Sequence, residues 1–304
     1  MLPLTFLYSV VNFFIKKHKC RQQRAFSVPV IVVGNLTVGG TGKSPAVMAL
    51  ADFFLSLGGC PGIISRGYGG KRSNHETPLL IDKESDPFLV GDEAVMLVRA
   101  LPVPVVVCSN RNKAAAYLLK QFPQCSLVIS DDGLQHYSLW RDVSVCLVDP
   151  VRRFGNEHCL PAGPLREPLS ALKEMDFVVS MSGDGSPFVL KSSDWVNVGN
   201  EAEVQPRDAF SGCTVHAVAG IANPQRFFDT LKQLNMTVIE HVFPDHHQFK
   251  LSDFAFCDDF PIVMTEKDAV KCKTFLSGQS LWYLRRRFEL TTAFQHALLK
   301  QLIR

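Results

Sequence analysis

Several features that would assign a chain of this kind to a special class are absent from its 304 residues. The nine cysteines are scattered, odd in number and contain no Cys-x-x-Cys pair, which argues against a disulfide framework and against a zinc site. We therefore expect buried, reduced thiols in a cytoplasmic protein. The sequence also contains no internal repeat and no low-complexity tract.

The chain also has no large excess of either positive or negative charge. The net charge is +3, and the hydrophobic and charged fractions of 46% and 20% indicate a soluble or peripheral globular protein long enough for two domains. The basic excess lies in residues 1–25, which contain five Lys or Arg residues and no acidic residue. No second basic run follows, so the pattern favours an anionic membrane surface over a nucleic acid as the partner.

The apolar run Leu2–Ile15 is too short to cross a bilayer, which takes about 20 residues. It is also unlike a signal peptide, because the positive charges of Lys16, Lys17 and Lys19 follow the run and no small-residue cleavage site appears. We predict that residues 1–25 form a helix lying in the membrane interface, with the lysines near lipid phosphates. The alternative is an ordinary first helix packed on the core.

The rest of the chain alternates short, near-continuous apolar runs with helical stretches. This alternation is typical of α/β proteins whose parallel sheet is covered by helices on both faces. The segment 182–212 is polar and rich in Gly, Ser and Asp, which predicts a link between two lobes. We therefore expect a first lobe at 26–181 and a smaller α/β lobe at 213–304.

The stretch VIVVGNLTVGGTGKSP at residues 30–45 is typical of a phosphate-binding loop. An apolar strand runs into glycines, and a helix is expected to start near Pro45. Only the first glycine of the pattern G-x-x-x-x-G-K-[ST] differs, since Thr37 stands there. We predict that Lys43 reaches the β- and γ-phosphates of a nucleotide and that Ser44 binds Mg²⁺. The predicted loop consists of Thr37, Val38, Gly39, Gly40, Thr41, Gly42, Lys43 and Ser44.

A second signal lies about 90 residues further on, in the sequence LVISDD at 127–132. A strand that ends in Asp131 and Asp132 is the arrangement in which carboxylates hold a metal ion or its waters. For residues 37–44, the alternative is a glycine-rich turn between a strand and a helix that binds no ligand. The sequence TEKD at 265–268 has a weak likeness to a guanine-reading motif, but it lacks the Asn, so we interpret it as a helix cap.

Several phrases occur together in an order and spacing that resemble the tetraacyldisaccharide 4'-kinases of lipid A biosynthesis. The most specific are DDGLQHYSLWRDV at 131–143 and LPAGPLRE at 160–167, and others are SRGYGG, GDEAVML, PDHHQF and MTEKDAVKC. The resemblance runs from about residue 26 to 275. It implies a P-loop NTPase-like α/β/α lobe joined by a short β linker to a smaller α/β/α lobe. Members of the family usually begin with a longer apolar helix than this chain has.

The resemblance further implies a bacterial enzyme bound peripherally at the cytoplasmic face of the inner membrane. It would transfer the γ-phosphate of ATP, with Mg²⁺ as cofactor, to the 4'-hydroxyl of a tetraacyldisaccharide 1-phosphate, a glycolipid, and so form lipid IVA. No obligate protein partner is implied.

The resemblance also assigns roles to single residues. Asp92 and His246 would be catalytic together with Lys43, and Glu93 would lie near the metal with Ser44, Asp131 and Asp132. The positions that would line the nucleotide and phosphate site are Arg66, Tyr68, Arg111 and Gln135. The phrase PDHHQF leaves open whether His246 or His247 faces the cleft, although the register favours His246.

This assignment agrees with the chemistry of the reaction. A sugar hydroxyl needs in-line placement and a proton acceptor, and an Asp that orients a His supplies one. Asp92 and His246 lie in different predicted lobes, so the pair would be complete only when the lobes meet. The arginines Arg152, Arg153 and Arg166 either bind the 1-phosphate of the acceptor or pack between the lobes.

Two other functions fit parts of the sequence. The first is a P-loop phosphotransferase that acts on a small soluble acceptor, but such an enzyme does not need an aromatic, apolar N-terminus. A membrane-associated nucleotide switch or assembly ATPase is the other. Its group shares the sequence GGTGKS, but its signature Lys is replaced here by Val38, and a switch needs no Asp–His base.

Overall fold

The computed structural model describes residues 2–272 and 280–303. The helices are α1 Leu2–Cys20, α2 Lys43–Ser56, α3 Pro87–Val90, α4 Asp92–Ala100, α5 Arg111–Gln121, α6 Pro224–Gln233, α7 Glu266–Cys272 and α8 Thr292–Leu302. The strands are β1 Val30–Gly34, β2 Pro61–Ser65, β3 Leu79–Ile81, β4 Val105–Val107, β5 Leu127–Ser130, β6 Val143–Leu147, β7 Phe177–Val179, β8 Phe188–Asn197, β9 Val204–Gln205, β10 Thr214–Ala219, β11 Thr237–Val242, β12 Ile262–Thr265 and β13 Leu281–Leu290. Two 3₁₀ turns span Leu169–Glu174 and Leu251–Phe254.

The first sheet has the strand order β3-β4-β2-β5-β1-β6-β7 and is parallel apart from β3, which pairs antiparallel with β4. Side chains on alternate sides of β1 enter two separate cores. One core contains apolar residues of α2 and α4, and the other contains those of α5. The strands are therefore covered on both faces, as continuous apolar runs require. This confirms the predicted parallel α/β/α lobe.

The second sheet is smaller and has the order β11-β10-β12-β13-β8-β9. Strands β10 to β13 are parallel to one another, and β8 and β9 are antiparallel additions at one edge. Helix α6 covers one face through Phe227 and Phe228, and α7 covers the other through Ala269 and Cys272. The second lobe is thus also an α/β/α layer structure.

The two lobes are joined by a long antiparallel ribbon formed by β8 and β13. Phe188 and Leu290, paired at one end of the ribbon, belong to the core of the first lobe. Trp195 and Leu284, paired further along, belong to a core of the second lobe. The predicted linker at 182–212 therefore supplies only one of the two connecting strands, because β13 comes from a distant part of the sequence.

Helix α8 departs from the predicted division of the chain. The prediction placed all of residues 213–304 in the second lobe, but Phe294 and Leu298 are buried in the core of the first. The ring of Phe294 packs edge-on against Phe177 of β7 at 5.0 Å. Strand β13 leads the chain back to the first lobe, and the apolar face of α8 is buried there.

Helix α1 packs one side on the first lobe and leaves an apolar side uncovered. Tyr8 donates a hydrogen bond of 3.0 Å to the carbonyl of Arg166, and Lys16 donates one of 2.6 Å to Glu174. The exposed apolar residues are Leu4, Phe6, Leu7, Val11, Phe13, Phe14 and Ile15. Among the residues that the structure describes, no helix combines the length and hydrophobicity needed to cross a bilayer.

All nine cysteines lie in the described part of the chain, and all are free thiols. Their reduced state in the cell stays a prediction. Cys60, Cys213 and Cys257 are exposed, however, so burial applies only to part of the set.

Candidate functional site

The predicted phosphate-binding loop connects the buried strand β1 to the start of α2. Gly39 and Gly42 have φ values of +105° and +85°, which a residue with a side chain rarely adopts. The Asn35 amide donates to the carbonyl of Thr37 at 2.8 Å, and the amide of Val38 donates to the carbonyl of Pro164 at 2.9 Å. These contacts hold the loop at the N-terminus of α2, where unpaired backbone amides attract an anion.

The backbone at Gly40 is uncovered. Gly40 is exposed, and a Cβ added there would meet no atom within 4 Å. Lys43 Nζ lies 3.4 Å from Asn35 Oδ1 and 3.7 Å from Asp132 Oδ1. The hydroxyl of Thr41 is buried without a hydrogen-bond partner, which favours a ligand that supplies one.

The two carboxylates at the end of β5 differ in their surroundings. Asp131 is buried and accepts a hydrogen bond from Ser65 Oγ at 3.3 Å through Oδ2. Burial raises the pKa of Asp131, and the neighbouring charges of Glu93 and Asp132 raise it further. Asp132 is ion-paired with Arg166 at 3.2 Å. Burial would raise the pKa of Asp132, but the charges of Lys43 and Arg166 outweigh this effect and lower it.

The donor set near the loop fits a hard cation. Three buried side-chain oxygens of the described chain lack a partner here: Thr41 Oγ1, Ser130 Oγ and Asp131 Oδ1. Oxygen ligands, with phosphate oxygens and water filling the remaining positions, are what Mg²⁺ prefers. Within residues 2–272 and 280–303 no group of three or more His, Cys, Asp or Glu side chains could hold a metal by itself. A cation would therefore depend on the nucleotide for part of its coordination.

Asp92 and His246 meet across the two lobes. Asp92 stands in the first turn of α4, is buried, and its Oδ2 lies 2.9 Å from His246 Nδ1. His246 has a φ of +61°, and its ring packs edge-on against Tyr68 at 5.3 Å. The neighbouring His247 instead faces Asp253, at 2.9 Å. The imidazole that contacts Asp92 is thus that of His246, as the register favoured.

The carboxylate of Asp92 is kept ionised. Burial would raise its pKa, but the hydrogen bond with His246 and the charge of Lys267 outweigh this effect and lower the pKa. A buried carboxylate in this state can orient the ring and stabilise an imidazolium. A cavity of about 230 Å³ opens beside the pair and is also lined by Phe88, Phe249 and Lys271.

The four residues expected to line the nucleotide and phosphate site are not equally close to the loop. Arg111 is buried and donates a hydrogen bond of 3.2 Å to the backbone carbonyl of Asp131. Its pKa is lowered to about 10 by burial. The side-chain amide of Gln135 donates a hydrogen bond of 3.2 Å to the backbone carbonyl of Asn35. Tyr68 is exposed beside His246, and Arg66 is exposed and donates to Ser73 and Asn74 of the next turn.

The family model described as tetraacyldisaccharide-1-P 4'-kinase matches residues 1–303. The chain belongs to this family. Among its relatives, the tetraacyldisaccharide 4'-kinase of Nitrosococcus oceani is 48% identical over 270 residues, which cover 88% of this chain and 78% of the relative. The enzyme of the same name from Hahella chejuensis is 44% identical over 306 residues, covering 96% of this chain and 89% of that one.

A solved structure agrees with the family at the level of the fold. The crystal structure of LpxK from Aquifex aeolicus, determined in complex with ATP, has a TM-score of 0.80 to this chain and 28% sequence identity. The match covers 99% of this chain and 98% of that one. It confirms the predicted fold class of the 4'-kinase family, with a P-loop lobe and a smaller second lobe.

Three further residues contact those predicted for the site: Glu167 and Lys267 were given no role there, and Arg166 was expected either to bind the 1-phosphate of the acceptor or to pack between the lobes. Arg166 and Glu167 of the family phrase LPAGPLRE bind Asp132 and Gln135, at 3.2 and 2.9 Å. Lys267 Nζ lies 3.9 Å from Asp92 Oδ2 and 3.3 Å from Glu93 Oε1. Burial would lower the pKa of Lys267, but the charges of Glu93 and Asp92 outweigh it and raise the pKa.

The feature of the sequence that could have pointed to Lys267 is its position in TEKD, residues 265–268. That motif caps a helix as predicted, because Thr265 Oγ1 accepts the amide of Asp268 at 3.1 Å. The capping interpretation is confirmed, and the same turn also places the ammonium group of Lys267 near Asp92.

Proposed function

We propose that this chain is an ATP-dependent lipid kinase that phosphorylates the 4'-hydroxyl of tetraacyldisaccharide 1-phosphate and forms lipid IVA. The observation that carries the proposal is the 2.9 Å contact between Asp92 and His246 in a chain that also has an open phosphate-binding loop. A nucleotide switch needs the loop but has no use for a proton acceptor built from two lobes. Family membership supports the same choice.

The loop residues would bind the triphosphate of ATP. The amides between Thr37 and Ser44 would surround its oxygens, and the N-terminus of α2 adds a favourable dipole. Lys43 would move from Asn35 and Asp132 to the β- and γ-phosphates, where its charge stabilises the transferred group.

Mg²⁺ is the cofactor that fits the site. Ser44, Glu93, Asp131 and Asp132 would hold the ion or its waters, and the partnerless Oδ1 of Asp131 is the observation that supports this set. When bound, the ion would neutralise negative charge that develops on the phosphate oxygens. Ionisation of Asp131 beside Glu93 and Asp132 is then favoured, because a cation removes the repulsion that raises its pKa.

Asp92 and His246 would accept the proton of the sugar hydroxyl. With Nδ1 hydrogen-bonded to Asp92, the other ring nitrogen, Nε2, would act as the base; it lies 3.7 Å from Asp245 Oδ2, too far for a hydrogen bond. Asp92 stays a carboxylate, orients the ring and stabilises the charge that the ring gains. Because the two residues come from different lobes, water is excluded at the same time as the base is completed.

The glycolipid acceptor would be reached at a membrane surface. The uncovered side of α1 carries Phe6, Phe13 and Phe14. Exposed basic residues lie in its last turn and just after it: Lys17, Lys19, Arg21 and Arg24. Such a helix inserts its apolar side among lipids while the cations face anionic headgroups. Lys16 cannot serve in this way, since it is ion-paired with Glu174. We propose peripheral binding at the cytoplasmic face of a bacterial inner membrane.

A transfer assay in detergent micelles tests the function. Purified chain, γ-labelled ATP, Mg²⁺ and the tetraacylated disaccharide 1-phosphate should yield labelled lipid, and Lys43→Ala should yield none. Loss of ATP without labelled lipid would support a nucleotide switch. Transfer to a small, water-soluble sugar at the same rate would support a soluble phosphotransferase.

A further inference from the structure

Three carboxylates from the two lobes converge on one ammonium group beside the catalytic pair. Lys267 Nζ lies 3.3 Å from Glu93 Oε1, 3.5 Å from Asp245 Oδ1 and 3.9 Å from Asp92 Oδ2. Its side chain is only 17% exposed. A cation placed this far from water and this near to several anions is held mainly by those anions.

The partners of Lys267 lie on both sides of the lobe interface. Lys267 is in the first turn of α7 in the second lobe, and Asp92 and Glu93 open α4 in the first lobe. Asp245 immediately precedes His246. Lys267 therefore connects the segment that carries the imidazole to the segment that carries its carboxylate.

The same oxygen of Asp92 receives both contacts from the second lobe. Its Oδ2 lies 2.9 Å from His246 Nδ1 and 3.9 Å from Lys267 Nζ. Without the ammonium group, Asp245 of the second lobe would face Asp92 and Glu93 with only the His246 ring between them, 3.7 Å from Asp245 Oδ2 and 2.9 Å from Asp92 Oδ2. Like charges at such distances repel, and the repulsion would separate the two segments.

We infer that Lys267 is a positioning residue for phosphoryl transfer, which clamps α7 onto the carboxylates at the start of α4 so that His246 is aligned with Asp92. This inference rests on the proposed kinase function. Lys267 acts through His246, so its main effect falls on the chemical step, and its 3.3 Å contact with the proposed metal ligand Glu93 leads us to expect only a small change in the affinity for ATP with Mg²⁺. Its role requires a charge that reaches all three carboxylates, which hydrogen bonding alone does not replace.

The test compares Lys267→Gln with the unmodified full-length chain in the micelle assay. We expect kcat to fall about a hundredfold, because a small misplacement of a catalytic group has effects of this size. The dissociation constant for ATP should change by less than about threefold. Lys267→Arg restores a charge, so its kcat should stay within about tenfold of the original. Lys232→Gln is the matched control, since Lys232 pairs with Glu240 inside the second lobe at 2.7 Å.

The decisive arm repeats Lys267→Gln in the His246→Ala background. If Lys267 acts by aligning His246, the second change should alter kcat by less than about threefold. A further hundredfold loss would mean that Lys267 acts independently of the imidazole and would overturn the inference. Unchanged kcat for Lys267→Gln, or a rise in the ATP dissociation constant that accounts for the loss, would also overturn it.

Folding is checked by the melting temperature of each variant. If Lys267→Gln fails to fold, the test uses Lys267→Arg instead. A folded Lys267→Arg variant with a kcat as low as that of His246→Ala would then overturn the inference. Failure of the inference is distinct from failure of the proposed function. The first leaves labelled lipid formed by the unmodified chain, and the second leaves none.

Discussion

Replacing each of two glycines in the predicted phosphate-binding loop by alanine should affect a different property: the stability of the fold at Gly42 and the affinity for ATP at Gly40. Gly42 has a φ of +85°, and a Cβ there would lie 2.8 Å from Met181 Cγ. Gly40 lies outside this left-handed region, and its Cβ would meet no atom within 4 Å. The first substitution therefore perturbs the folded chain, whereas the second perturbs only the space that we assign to phosphate.

The size of each effect follows from these contacts. The left-handed conformation costs about 1–2 kcal/mol for a residue with a Cβ, and crowding against Met181 adds about 1–3 kcal/mol. Gly42→Ala should thus lower the free energy of unfolding by about 2–5 kcal/mol. Gly40→Ala should change it by less than about 1 kcal/mol, and in the stabilising direction if at all. Its methyl group should weaken ATP binding at least about tenfold, or ~1.4 kcal/mol.

Urea unfolding and titration with a fluorescent ATP analogue measure the two quantities. Each variant serves as the control for the other, since both add one methyl group to the same loop. Full ATP affinity in Gly40→Ala would refute the assignment of the open space to phosphate. Unchanged stability in Gly42→Ala would refute the conformational reasoning.

Three other expectations follow from the structure. Asp92→Ala and His246→Ala should each lower kcat by about 10²–10⁴-fold with little change in ATP affinity, and the double variant should be far less than multiplicative. Steady-state transfer assays measure this, and full multiplicativity would show that the two residues do not act as a unit. Replacing Phe6, Phe13 and Phe14 by Ser should release the chain from anionic vesicles in a sedimentation assay without changing its melting temperature, because these side chains are exposed. Continued binding would show that α1 is not the anchor. Finally, burial lowers the pKa of His136 from 6.5 to about 3, so below 6.5 the unfolded chain binds the proton more readily and stability should fall with falling pH. In urea unfolding at about pH 7 and about pH 5, His136→Gln should lose less stability than the unmodified chain, and an equal loss would contradict the reasoning.

Much of the site could be predicted because its parts are local in sequence. The loop at residues 37–44 and the carboxylates after β5 both follow apolar strands directly. In a parallel sheet, strand ends of this kind lie at one edge. Neighbouring strands β1 and β5 therefore bring the two motifs together, and the register pairs Val30 with Val128.

Asp92 and His246, which we propose to be catalytic, could be named only through the family phrases. Asp92 and His246 are 154 positions apart, and no periodicity relates α4 to the turn after β11. The same distance in sequence explains why Lys267 was interpreted only as part of a helix cap. Its charge acquires a further role because α7 is packed against α4, which depends on how the lobes are joined.

The loop, the alternation of strands and helices, the apolar N-terminal helix and the family could all be read from the order of the residues alone. These depend on neighbouring residues, whose periodicity and backbone preferences act over a few positions. Four features depend on how the chain packs in three dimensions. Strand β13 completes the link between the lobes, α8 returns to the first lobe, His246 faces Asp92, and Lys267 lies among three carboxylates. The physical reason is that burial and electrostatic contacts act through space, so they join residues that the chain itself keeps far apart.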